Sequence, residues 1–276
     1  MRITLKALVC SAALALTAGL LPGTAQAAVS AAPPKTLANN ALYKSGKLPA
    51  KKCTETHWER GDMAAAREYL EVVMGCLNTS WKAHFKKAGM KFRAPDFEVV
   101  NNIGDPIGAC GKFPGPGVLA LYCPDNENFY MLVDGDALDD PTSMIHLGVM
   151  AHEYGHHIQQ ITGIIPVYDR MKFKSDDAHY AMHRRIELQA DCLAGAFIGS
   201  VWSTLGRTKA EFKDLTEHEL GGTTDGIQGG GDSPDLEITS PTHGKPTNQR
   251  YWLTRGFSGK GPQVCNTFTA SAKRTA

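Results

Sequence analysis

No apolar run in this 276-residue sequence reaches the length of about 20 residues that a membrane-spanning helix needs. The longest, Ala7 to Leu21, follows basic Arg2 and Lys6 and is broken by Pro22-Gly23. Ala25-Gln26-Ala27 then fits the small-x-small cleavage rule, so residues 1–27 are expected to be a secretory signal peptide cut after Ala27. Cys10 has no small-residue lipobox before it, which excludes a lipoprotein. An excess of one charge is missing too. Removing Arg2 and Lys6 leaves 27 Lys and Arg against 28 Asp and Glu, a balance that argues against nucleic-acid and membrane-surface partners. There are no internal repeats. No C-x-x-C occurs, which speaks against a structural cysteine-zinc site, and no cysteine sits in a context that would activate a thiol nucleophile.

Six cysteines remain after the signal: Cys53, Cys76, Cys110, Cys123, Cys192 and Cys265. An even number in an exported chain reads as three disulfides, for which sequence alone allows fifteen connectivities. The pairings favoured are Cys110 with Cys123, closing a short Gly/Pro-rich loop, then Cys53 with Cys76, and Cys192 with Cys265. Residues 28–52, rich in Ala, Pro, Lys and Ser, read as a flexible leader or a pro-segment ahead of one domain over 53–276. A helix is expected from Gly61-Asp62 to about Met74, and a second short one, capped at Asn78-Thr79, through Lys87. His57, Trp58 and His84 lie here and read as scaffold.

Chemistry enters at Val149-Met150-Ala151-His152-Glu153-Tyr154-Gly155-His156-His157. In H-E-x-x-H on a helix, His152 and His156 share one face a turn apart and can share one zinc ion. Glu153 beside them can take a proton from an attacking water. Asp139-Asp140-Pro141 and Gly163 frame a helix over roughly Pro141 to Thr162. Its apolar residues do not form one stripe, so it is expected to be buried over much of its circumference. A metal would satisfy the buried polar groups.

A third ligand is expected from the helical stretch Asp176 to Leu205, where Ile186, Ala190, Leu193, Phe197 and Val201 recur at three- and four-residue spacing. Beside that stripe Glu187 and Asp191 share a face. Glu187 can reach the metal while Asp191 accepts the second N–H of a ligating histidine. The bland alternative is two solvated carboxylates or ion pairs with Arg184 and Arg185. Other well-placed donors are His157, His183 and His243. A metzincin would require Gly where Gln159 stands and a ligand at Thr162.

HEYGHHIQ, then RRIELQADCLAG, then THGKPTNQRYWLTRGF resembles the bacterial putative neutral zinc metallopeptidase family, similar in layout to the gluzincins. The resemblance also touches Cys110-Gly111, Tyr122-Cys123-Pro124 and Cys265 to Phe268, covering about the last 165 residues with gaps. It implies His152, His156 and Glu187 as zinc ligands, Glu153 as the catalytic carboxylate and Asp191 behind the ligands. His243, in the shared Thr-His-Gly, is expected either to donate to the oxyanion or to hold its turn. Gly221 to Pro234 departs from the family, and Asp225, Asp232 and Asp235 lack a calcium-loop spacing.

Short strands are expected at Phe97–Val100, Val118–Tyr122 and Phe129–Val133. Phe129 to Asp134 would be either the edge strand that pairs with an extended substrate or an interior strand. The fold class expected is α+β and zincin-like: a small, mostly antiparallel sheet against the long H-E-x-x-H helix and a second helix carrying E-x-x-x-D. The function expected is a secreted zinc metalloendopeptidase with one Zn²⁺ and a peptide or protein substrate. The alternative is an exported zinc-binding or adhesion module without turnover, against which Glu153 argues, since such a module needs no base.

Overall fold

The structure is a computed structural model that describes residues 33–133, 140–219 and 242–276. The expected signal peptide, Asp134, Asp139, the stretch Gly221 to Pro234 and Asp235 lie outside the described residues.

In chain order the helices and strands are α1 (Lys35–Ala38), α2 (Met63–Lys87), β1 (Asp96–Val100), β2 (Ala120–Cys123), β3 (Asn128–Leu132), α3 (Ile145–Ile161), α4 (Ile164–Tyr168), α5 (Asp176–Leu205), α6 (Lys209–Asp214) and α7 (Pro246–Gly259). The class is α+β. From residue 33 the expected leader is packed rather than loose, because Leu37, Leu42 and Leu48 are buried in the main core. Asn40 fixes this entry by accepting from Leu42 N at 2.9 Å and donating to Thr162 O at 3.0 Å. Its polar composition hid three leucines that the core takes.

Asp62 caps α2 by accepting from Ala65 N at 3.0 Å, as its position before an apolar periodicity leads one to expect. The helix then runs unbroken to Lys87, a correction to the two helices expected. Asn78 does not cap; its Oδ1 accepts the Tyr154 hydroxyl at 2.7 Å, so a tertiary contact uses the group that a helix start would have used. Asp140 also behaves unlike a helix cap, accepting from Thr142 and Ser143 in a local turn that delays α3 to Ile145. Gly163 ends α3 in the left-handed region, φ 78°, where glycine meets no Cβ penalty.

The sheet has the order β1-β3-β2, with β1 parallel and β2 antiparallel to β3. It is therefore mixed rather than mostly antiparallel. Of the two readings of Phe129 to Asp134 the interior one describes the part that lies in β3: β3 is central and buried at every residue, and β1 and β2 are the edges. A strand covered on both faces has no alternation from which position could be read. Cysteines pair as Cys53–Cys76, Cys110–Cys123 and Cys192–Cys265, with Cα separations of 5.4, 5.9 and 5.5 Å. No described helix is long and apolar enough to cross a membrane.

Three helices meet at backbone contact. A Cβ on Gly155 of α3 would lie 3.0 Å from Ala190 Cα of α5. Between α5 and α7, a Cβ on Gly195 would lie 2.0 Å from Leu253 O, one on Gly199 2.1 Å from Phe257 O, and one on Gly256 1.9 Å from Cys192 O. The three contacts between α5 and α7 leave no room for a methyl group. Gly256→Ala is expected to destabilise the fold by about 1 to 3 kcal/mol or more through overpacking. Gly75→Ala, at an exposed position of α2 with nothing within 4 Å of the new methyl, should stabilise by roughly 0.5 to 1 kcal/mol. Thermal denaturation of the two variants checks the opposite signs. Equal melting temperatures would refute the close-contact account.

Candidate metal centre

Helical spacing places His152 and His156 one above the other on α3, and the Gly155 to Ala190 contact brings α5 close enough for Glu187 to reach them. His152 Nε2 and His156 Nε2 are 3.2 Å apart. Glu187 Oε2 lies 3.3 Å from the first and 3.1 Å from the second. All three side chains are buried or nearly so, and they form a group of ligand atoms of the kind that can hold a metal ion.

Whether zinc fits can be tested on these three edges. Zinc bonds of about 2.0 to 2.2 Å at tetrahedral angles put ligand atoms about 3.3 Å apart. The observed edges, 3.1 to 3.3 Å, agree with that spacing. The donor chemistry agrees as well. His152 Nδ1 meets Asp191 Oδ1 at 2.8 Å, and His156 Nδ1 meets Gln159 Oε1 at 2.9 Å. Gln159 Nε2 donates to Ile186 O at 2.8 Å, which fixes its amide and leaves Oε1 to accept. With both Nδ1 atoms donating, neutral imidazoles present two Nε2 lone pairs to each other and to a carboxylate. Such a set calls for a positive charge at its centre.

A proton on an imidazole answers the same need for positive charge. Burial disfavours the charged form of His152, but its bonds to Asp191 and Glu187 outweigh burial and hold it well above the usual histidine value. His156 is raised in the same way, by Glu187. Glu187 is held well below the usual carboxylate value, because His156 and His243 outweigh its burial.

Glu153 lies beside the donors, with its Oε2 accepting the Tyr122 N–H of β2 at 2.8 Å. The outer edge of β2 thus faces the site. A cavity of about 500 Å³ opens there, with Val118, Leu121 and Ile165 among its apolar walls and Glu153, His156, Glu187 and His243 among its polar ones. The cleft-lining strand is β2, not the segment nearest in sequence to α3.

His243, just before α7, is buried and sits 3.1 Å from Glu187 Oε2. Its Nδ1 is 2.8 Å from Thr242 Oγ1. His157 is turned away, with Tyr122 Oη at 3.1 Å and Arg93 O at 2.8 Å. Tyr154 points to Asn78, and Tyr180 stacks on His179. Three participants escaped sequence reasoning in these roles: Gln159, the Tyr122 N–H and His183, whose Nε2 lies 2.9 Å from Glu187 Oε1. Gln159 was legible as the residue three after His156. His183 was legible as the residue four before Glu187.

Two packed helices that carry H-E-x-x-H and a facing glutamate beside the open edge of a small sheet form a group of the kind that can hold a metal ion. Residues 32–268 match the family described as Putative neutral zinc metallopeptidase, and the chain belongs to that family. Uncharacterized protein YpfJ of Escherichia coli (strain K12) is 28% identical over 226 residues, which cover 75% of this chain and 72% of that protein. Uncharacterized protein Rv2575 of Mycobacterium tuberculosis (strain ATCC 25618 / H37Rv) is 28% identical over 191 residues, 61% of this chain and 60% of its own. No solved structure matches the chain.

Proposed function

We propose that this protein is a secreted zinc-dependent endopeptidase, with residues 1–27 as a signal peptide removed on export and one zinc ion held by His152, His156 and Glu187. The observation that carries the reading is the triangle of ligand atoms with 3.1 to 3.3 Å edges beside the Glu153 carboxylate. Three disulfide pairs support export.

Zinc bound there would supply Lewis acidity, polarising a carbonyl and lowering the pKa of a bound water to about 7. Glu153 accepts the proton of the attacking water and passes it to the leaving amine. The Tyr122 N–H keeps the Glu153 carboxylate turned to the cleft. The outer edge of β2 offers main-chain groups to an extended peptide, which supplies alignment without demanding particular side chains. Asp191 and Gln159 hold the two imidazoles by their Nδ1 atoms. His243, whose Nε2 lies 3.1 Å from Glu187 Oε2 at the centre, turns from that carboxylate to hydrogen-bond the developing oxyanion.

Metal analysis of the purified chain, run with a peptide-library cleavage assay, tests the reading. One zinc per chain, with cleavage lost to a chelator and restored by zinc, is the expected result. Zinc without cleavage of any peptide would return the binding-module alternative. For His243→Ala the expected outcome is a fall in kcat of roughly 10² to 10³, as for loss of an oxyanion donor, with KM, zinc content and melting temperature little changed. A fall in melting temperature, with the folded fraction fully active, would assign His243 to the scaffold.

A further inference from the structure

Glu187 has two oxygens, and only Oε2 faces the imidazoles of His152, His156 and His243. The other, Oε1, is 2.9 Å from His183 Nε2, one turn back on α5. Behind His183 the contacts continue. Its Nδ1 is 2.9 Å from the Tyr168 hydroxyl, and that hydroxyl is 2.7 Å from His179 Nε2. We propose that His183 is a positioning residue that pins Glu187 so that a single oxygen is presented to the metal, and that Tyr168 and His179 hold His183 in the tautomer this requires. The proposal rests on the reading of Glu187 as a zinc ligand.

The proton positions follow from the inventory of donors. An ionised carboxylate only accepts, so the hydrogen between His183 and Glu187 belongs to His183 Nε2. In the neutral tautomer of His183 that carries this proton Nδ1 accepts, and the Tyr168 hydroxyl donates to it. The phenol oxygen then accepts from His179 Nε2. Every bond in the chain runs one way, from the α5 surface toward Glu187. The terminal torsion of a glutamate is broad and roughly two-fold, so an unpinned carboxylate can rotate or offer both oxygens. Fixing one oxygen removes that freedom before the metal arrives. Such partners typically contribute 10 to 100-fold in metal affinity. Tyr168 also lines the cleft, and in this arrangement its proton is directed to His183 rather than to a substrate.

Zinc affinity of the full mature chain, measured by competition with a chromogenic chelator, tests this without reference to activity. His183→Ala is expected to weaken zinc binding about 10 to 100-fold. His183→Gln, whose amide nitrogen reaches Glu187, should stay close to the parent, and Tyr168→Phe should lose less than His183→Ala. If His183→Ala fails to fold, His183→Asn, whose amide stops short of Glu187, takes its place. Parent-like affinity in His183→Ala, or a loss in His183→Gln as large as in His183→Ala, overturns the proposal. Glu187→Ala, measured alongside, separates the two levels. If it alone loses zinc, only the role of His183 fails; if both variants keep zinc, the ligand assignment fails with it.

Discussion

Glu153→Gln is expected to keep zinc and to lose kcat by about 10² to 10⁴, the usual effect of removing a general base. The amide nearly matches the carboxylate in shape, and its oxygen can still accept the Tyr122 N–H, so β2 and the cleft should stay in place. What the amide cannot do is take a proton from water. The check is a pair of measurements, metal content and initial rates on a peptide that the parent cleaves. Near-parent kcat in this variant would rule out Glu153 as the base. Loss of zinc along with activity would instead point to a change in the centre as a whole.

The second large effect concerns the metal itself. Glu187→Ala should lose zinc on dialysis against a chelator, since it removes the one anionic member of the triangle and the carboxylate that faces four histidines. Asp191→Ala should weaken zinc by only about 10 to 100-fold, because Asp191 touches His152 on the nitrogen that faces away from the centre. The contrast between the two variants carries the test. Parent-like zinc in both would mean that the triangle is not the binding site.

Much of the candidate centre could be read from the sequence because its geometry is local. His152 with His156, and Glu187 with Asp191, are pairs that a helix brings to one face by spacing alone. Gly163 marks the end of α3 for the same local reason. The parts that escaped depend on partners distant in sequence. Nothing near Asn128–Leu132 says that β3 inserts between β1 and β2, and so its sequence fits an edge strand and an interior strand equally. Asn78 looked like a helix start because Tyr154, its partner, is 76 residues away. The Tyr122 N–H is backbone, which no side-chain pattern can reveal. Leu37 and Leu42 were hidden for a compositional reason, as isolated apolar residues in a polar stretch.

The glycine contacts of α5 bear on more than packing. Gly195 and Gly199 are notches that receive the carbonyls of Leu253 and Phe257, and Gly256 receives that of Cys192 in return. Opposing notches of this kind act as detents: α5 cannot slide along its axis without driving a carbonyl into a neighbouring turn. A slip of one residue would move Glu187 by about 1.5 Å along that axis. Misplacement by about 1 Å can cost on the order of 10² in rate. The seam between α5 and α7, remote from any reacting atom, therefore sets the mechanical tolerance to which Glu187 meets the two histidines.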